Sequence, residues 1–339
     1  MTHRSAVFFV LLLAACAPPA ERPPATTSTG GYLDFHTPGD YQAGGVQMIE
    51  LEEGYRVWTK RFGNAPMKVL LLHGGPALTH EYMECFESFF PKAGIEFYEY
   101  DQLGSDYSDQ PDDMSLWTLD RFVEEVEQVR KSLGLGPDNF YLLGNSWGGL
   151  LAMEYALKYQ DHLKGLIVAN MTADFDKYAA YNAKLRGELP QDVLDRLSAY
   201  ESKGAYQDPT YQQLVFDHYY KKHICQIPEW PEPVLRSFNH INQEVYEYMQ
   251  GPSEFVPGGV LEGWSVWNRL GELRVPTLMV GAAHDTMNPK EMEEMSTLVE
   301  NGRYLFCPNG SHLAMWDDQE VFMRGVIEFI EDVHAGRFP

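Results

Sequence analysis

Cysteine is scarce: four residues in 339, at positions 16, 85, 225 and 307, and none in Cys-x-x-Cys or Cys/His spacing. That excludes a disulfide-built scaffold and gives no pattern from which to infer a structural metal. Basic residues are also few, 26 Lys and Arg against 49 Asp and Glu, for a net charge of −23. A phosphate backbone is bound by clustered Lys and Arg, and no such stripe occurs, so nucleic acid is excluded as a partner. No apolar run is long enough to cross a bilayer as a helix. What remains is an ordinary globular composition, 44% hydrophobic and 22% charged, in a chain long enough for one large α/β domain with an inserted subdomain.

Residues 1–15 read as a signal peptide: His3 and Arg4 precede a short apolar run from Ala6 to Ala15. The run ends Leu13-Ala14-Ala15-Cys16, which resembles the bacterial lipobox. The resemblance implies cleavage before Cys16 and acylation there, and two or more acyl chains make a stable anchor. Ala17, where inner-membrane lipoproteins have Asp, points to the outer membrane, with the protein facing the periplasm. An ordinary cleaved signal, with Cys16 incidental, is the alternative. Residues 16–30, rich in Pro, Thr and small residues, read as a flexible tether. An oxidising compartment would permit one bridge among Cys85, Cys225 and Cys307 and leave a third thiol free.

From residue 45 onward, β-rich runs alternate with helical ones, the order that builds a mostly parallel sheet flanked by helices. Gly45 to Phe62 reads as an opening antiparallel pair. Met67 to Leu72, Ile95 to Tyr100, Asn139 to Leu143, Leu163 to Val168, Pro276 to Val280 and Arg303 to Phe306 read as buried strands. Leu119 to Leu133, Ser146 to Tyr159 and Glu320 to Val333 carry apolar residues at helical spacing. The rhythm breaks between 173 and 269, a segment rich in Tyr, Trp and His. The expected organisation is an α/β core of residues 31–172 and 270–339, with a mostly helical cap, 173–269, inserted after the sixth strand.

Chemistry is concentrated in three places. Gly144-Asn145-Ser146-Trp147-Gly148 is a G-x-S-x-G between a strand and a helix, where a sharp turn exposes the serine and the flanking glycines relieve collisions. Ser146 is the expected nucleophile. A serine hydroxyl needs a base, and the base needs an acid to orient it. His312, in a turn after the last strand, is the expected base, since His334 lies in the tail. Asp285 follows the strand PTLMVG and is the expected acid; Asp174 and Asp176 are alternatives, and His284 lines a loop. His73-Gly74-Gly75-Pro76 follows the strand KVLLL, so the N–H groups of Gly75 and Trp147 are the expected oxyanion hole.

With these motifs, the chain from about Gly45 onward resembles the proline iminopeptidases, α/β hydrolases, in particular the tricorn-interacting type. The resemblance also covers DQLGSDYS at Asp101 to Ser108, GPSEF at Gly251 to Phe255 and SHLAMW at Ser311 to Trp316. GPSEF is the specific one. It implies an aminopeptidase acting on short peptides with a free amino end, often prolyl, with Glu254 holding the ammonium and no cofactor or metal. The family's second glutamate has no fixed position here; Glu229, Glu232 and Glu244 are candidates. Two departures stand out: Ala77 replaces the last Gly of HGGPG, and Asp106 replaces the second Gly of DQxGxGxS. Trp230, Trp264, Trp267, Tyr246 and Tyr248 are candidates for an S1 wall or for cap core.

Two rivals remain. An esterase or amidase with the same triad would turn over substrates whose amino group is blocked. An inactive hydrolase fold serving as a binding module would leave Ser146 unlabelled by a fluorophosphonate. Because a base must be neutral, activity is expected to rise around pH ~6.5–7.

Overall fold

The computed structural model describes residues 43–338; the expected signal peptide, Cys16 and the expected tether lie outside the described residues. Eight strands form one sheet in the order β1-β2-β4-β3-β5-β6-β7-β8. β1 (Ala43–Glu50) and β2 (Arg56–Phe62) are antiparallel, and β2 also pairs antiparallel with β4 (Ile95–Asp101). β3 (Met67–Leu72), β4, β5 (Phe140–Asn145), β6 (Gly165–Ala169), β7 (Thr277–Ala282) and β8 (Gly302–Cys307) run parallel.

Successive side chains on a strand face opposite ways, so a strand buried on both faces feeds two cores. Leu70 and Leu72 of β3 join Phe140 and Leu142 of β5 on one face. Val69, Leu71, Tyr141 and Leu143 of the same strands lie on the other. The first face is covered by α1 (Leu119–Ser132), α2 (Trp147–Tyr159) and, further along the chain, the helix Pro289–Leu298. The second is covered by a 3₁₀ stretch, His80–Ser88, and the C-terminal helix Gln319–His334. Cys85, Cys225 and Cys307 are buried, and all three thiols are free.

Between β6 and β7 lie α3 (Phe175–Gly187), α4 (Gln191–Glu201), α5 (Pro209–Val215), α6 (Lys221–His223), α7 (Glu232–Asn239) and α8 (Gln243–Gln250). Asp174, Asp208 and Asn242 accept a backbone N–H at the starts of α3, α5 and α8, pairing donors that a helix start leaves free. This insertion, the cap, leaves and rejoins the core at one place. Phe175 N donates to Trp264 O at 2.8 Å and Val266 N to Ala173 O at 2.9 Å. It also grips the loop after β3, where Ser237 Oγ donates to Thr79 O at 3.1 Å and Asn242 N to Ala77 O at 3.0 Å.

Candidate active site

Ser146 sits between β5 and α2 with φ 56° and ψ −129°, a conformation costing about 1–3 kcal/mol that only a well-determined surrounding maintains. The flanking glycines supply that surrounding. A Cβ on Gly144 would lie 2.0 Å from Gly148 O, and one on Gly148 would lie 2.0 Å from Leu72 O. The turn closes only when neither residue has a side chain.

The loop after β3 runs against the serine, since a Cβ on Gly74 would come within 2.9 Å of Ser146 Cβ. Gly75 has φ 116°, and Ala77 adopts φ 61°, a left-handed backbone that residues other than glycine rarely take. Trp147 is the first residue of α2, where a backbone N–H has no partner within the helix. Its indole is turned inward and donates to Gln102 Oε1 at 2.7 Å. Gly74 N donates to the Tyr82 hydroxyl at 2.7 Å, and that hydroxyl donates to Asn145 Oδ1 at 2.9 Å. Asn145 Nδ2 in turn reaches Ala169 O and His312 O, both at 3.4 Å. The loop after β3, the serine turn and the His312 loop are thus tied together by two buried side chains, Tyr82 and Asn145.

Asp285 and His312 are paired. His312 Nδ1 lies 2.8 Å from Asp285 Oδ1, and both residues are buried. The other carboxylate oxygen accepts Asn170 Nδ2 at 2.7 Å, and Thr286 Oγ1 donates to Oδ1 at 3.3 Å. Burial disfavours the charged form of His312, but the Asp285 carboxylate, by its charge and its hydrogen bond, outweighs that with help from Glu254 and Asp317. The imidazole pKa therefore lies above its ordinary value. Ser146 Oγ makes no side-chain hydrogen bond among the described residues, and in unliganded enzymes such bonds are often long until substrate arrives. The alternative acids are elsewhere: Asp174 caps α3 and accepts from Ser265 Oγ at 2.9 Å, and Asp176 is exposed. His284 and His334 are exposed.

Glu254 lies in a tight turn of the cap in which Val256 N donates to Ser253 O at 3.0 Å. Gly251, opening the turn with φ 99°, would place a Cβ 2.6 Å from Val256 O. The Glu254 carboxylate accepts the hydroxyls of Tyr246, at 2.8 Å, and Tyr178. Burial, reinforced by that carboxylate, pushes both phenols well above their usual pKa, so they stay protonated donors. Glu229, Glu232 and Glu244 are exposed, and Glu232 pairs with Arg236 at 3.0 Å. Trp230 packs against Phe216 and Phe238 as cap core, while Tyr248 is exposed. Asp106 is half-exposed, its nearest basic neighbour being His240 at 3.9 Å.

Residues 68–319 match the alpha/beta hydrolase fold family. A proline iminopeptidase of Flavobacterium johnsoniae is 59% identical over 282 residues, covering 83% of this chain and 95% of that protein. The chain belongs to the proline iminopeptidase family. Among solved structures, VinJ superposes with a TM-score of 0.81 at 31% identity, covering 86% of this chain and all of VinJ. The proline iminopeptidase of Mycobacterium smegmatis superposes with 0.77 at 27%, covering 86% of this chain and 99% of that one.

Tyr82, Asn145, Asn170, Thr286 and Tyr178 join this proline iminopeptidase site with no role expected of them from sequence, while Tyr246, a candidate for the S1 wall or cap core, donates to Glu254. Only Asn170 left a signal, an Asn directly after a strand, where its φ of 55° is a conformation Asn tolerates better than most residues.

Proposed function

We propose that the protein is a serine aminopeptidase that releases an N-terminal residue, proline foremost, from short peptides through an acyl-enzyme. One observation carries the reading: a cap carboxylate, Glu254, is held by two phenols close enough to bias the charge of His312. A carboxylate so placed is a partner for the ammonium of a peptide's free amino end. The relatives named proline iminopeptidase and the GPSEF segment support the same substrate class.

In this mechanism, Ser146 Oγ bonds to the first peptide carbonyl carbon as its proton passes to His312 Nε2. The oxygen gains negative charge and is met by the N–H groups of Gly75 and Trp147, each such donor being worth about 3–4 kcal/mol. Asp285 stabilises the imidazolium. The C–N bond breaks, the leaving amine takes the proton from His312, and water repeats the sequence on the ester to release the amino acid. The steps use these side chains, the two backbone N–H groups and water.

The test is hydrolysis of prolyl-, alanyl- and N-acetyl-prolyl-naphthylamide by residues 17–339, with Ser146→Ala and Glu254→Gln. Cleavage of the free-amine substrates alone, abolished by Ser146→Ala and weakened in kcat/KM by Glu254→Gln, is expected. Equal turnover of the acetylated substrate, indifferent to Glu254→Gln, would move the function to esterase or amidase.

The location is proposed from residues 1–30: a lipid anchor at Cys16 holding the enzyme on the outer membrane, facing the periplasm. Labelled palmitate incorporated into the full chain but not into Cys16→Ala would support it. Release of the unsubstituted full chain in soluble form would refute it.

A further inference from the structure

His223 ends α6 in the cap and is 3% exposed. Its Nδ1 lies 2.7 Å from the carbonyl oxygen of His284. A carbonyl only accepts, so Nδ1 carries the proton, and Nε2 is a buried acceptor without a partner. The main chain of the same residue faces the other way: His223 O accepts the N–H of His312 at 2.9 Å. The next residue continues the pairing, Ile224 O accepting Leu313 N at 2.9 Å and Ser311 Oγ at 2.8 Å. His284 directly precedes Asp285. A single cap residue is therefore bonded through its side chain to the acid loop and through its backbone to the base.

The charge state suits a fixed tie. Burial, aided by Lys222, lowers the His223 pKa against the opposing pull of the His284 carbonyl, Asp285 and Glu188, so the ring is neutral near pH 7. The ring also packs 4.9 Å from Tyr219, which lies 4.3 Å from Phe255, the neighbour of Glu254.

We propose that His223 is a positioning residue of the triad, its Nδ1–H bond to the His284 carbonyl setting the placement of Asp285 against His312. The inference rests on the functional reading above only for the roles of Ser146, Asp285 and His312. Replacing the side chain leaves the backbone tie to His312 in place and cuts only the tie to the acid loop. His223→Leu removes the donor at similar bulk, and His223→Asn returns an N–H donor at nearly the position of Nδ1.

The experiment measures the rate of fluorophosphonate labelling of Ser146 against pH, per folded molecule, alongside kcat and KM on prolyl-naphthylamide. His223→Leu is expected to label about tenfold to a hundredfold more slowly. Its acid limb should move to lower pH, because Asp285 no longer meets His312 squarely, while KM changes by less than about twofold. His223→Asn should recover most of the rate and the limb. The groups facing His312 that set this limb, Asp285, Glu254 and Asp317, are unchanged in both variants. A Leu variant that melts earlier but labels at the wild-type rate and limb would overturn the proposal, as would equal losses in Leu and Asn. Normal labelling of the wild type without prolyl-naphthylamide turnover would count against the aminopeptidase reading instead, leaving the comparison of variants intact.

Discussion

Asn170 donates its amide to Asp285 Oδ2 at 2.7 Å, on the oxygen opposite the one that meets His312. The carboxylate is thus fixed from two sides. Asn170→Gly keeps a residue that tolerates φ 55° and deletes the donor. A hydrogen bond to a charged group is worth about 1.5–3 kcal/mol, so kcat/KM should fall by about tenfold, with a lower melting temperature. Unchanged kcat/KM would mean that Thr286 and His312 suffice to hold Asp285.

The pH profile follows from His312. Its pKa lies above the ordinary imidazole value, chiefly because Asp285 overcomes the burial penalty. The protonated ring cannot accept the Ser146 proton, so activity is lost as pH falls through that raised pKa. The acid limb of kcat/KM should therefore lie above the ordinary imidazole value of ~6.5. Asp285→Asn should lower the limb as well as the rate. A wild-type limb below pH 6 would contradict the pairing.

Tyr82 accepts the Gly74 N–H and donates its own O–H to Asn145 Oδ1, both residues being buried. Tyr82→Phe leaves a buried donor and a buried acceptor unpaired, a penalty of about 1–3 kcal/mol each. Part of that strain falls on the loop carrying Gly75. The expected signature is a kcat drop of about tenfold at near-constant KM, together with weaker inhibition by a prolyl boronate, which mimics the tetrahedral state. A loss in melting temperature alone would confine Tyr82 to a structural part.

The sheet, its flanking helices and the serine turn were legible in the sequence because each is written in local pattern. Apolar runs of five to six residues mark strands buried on both faces, whereas Arg303 to Phe306, also read as a buried strand, belongs to the edge strand β8 and is partly exposed, with no neighbour on its outer side; GNSWG marks the strand-to-helix turn. Strand ends shifted by one or two residues, as in β6, which starts at Gly165 rather than Leu163. The supports of the site were not legible. Tyr82 and Asn145 are 63 residues apart, Tyr178 and Glu254 76, and Asn170 and Asp285 115. Such pairs meet only through strand order and cap folding, and a lone Tyr or Asn carries no periodicity that announces its partner. The second amino-end carboxylate that the resemblance implies is not among the three candidates named from sequence, since Glu229, Glu232 and Glu244 are all exposed.

Glycine offers an internal control on the serine turn. A Cβ on Gly148 would lie 2.0 Å from Leu72 O, at the end of β3, and 2.8 Å from the O of His73, the first residue of the loop after it, both main-chain atoms. Backbone cannot step aside as a side chain can, so the helix must lift from the sheet and lose packing along α2. Gly148→Ala should therefore destabilise by more than about 4 kcal/mol or fail to fold. Gly136, in the loop before β5, has nothing within 4 Å of an added Cβ and no left-handed backbone. There alanine only restricts the unfolded chain, so Gly136→Ala should be neutral or stabilise by up to about 1 kcal/mol. Thermal and urea melts of the two variants beside the wild type decide the matter. A soluble, active Gly148→Ala would show that α2 can move away from β3 without undoing the nucleophile.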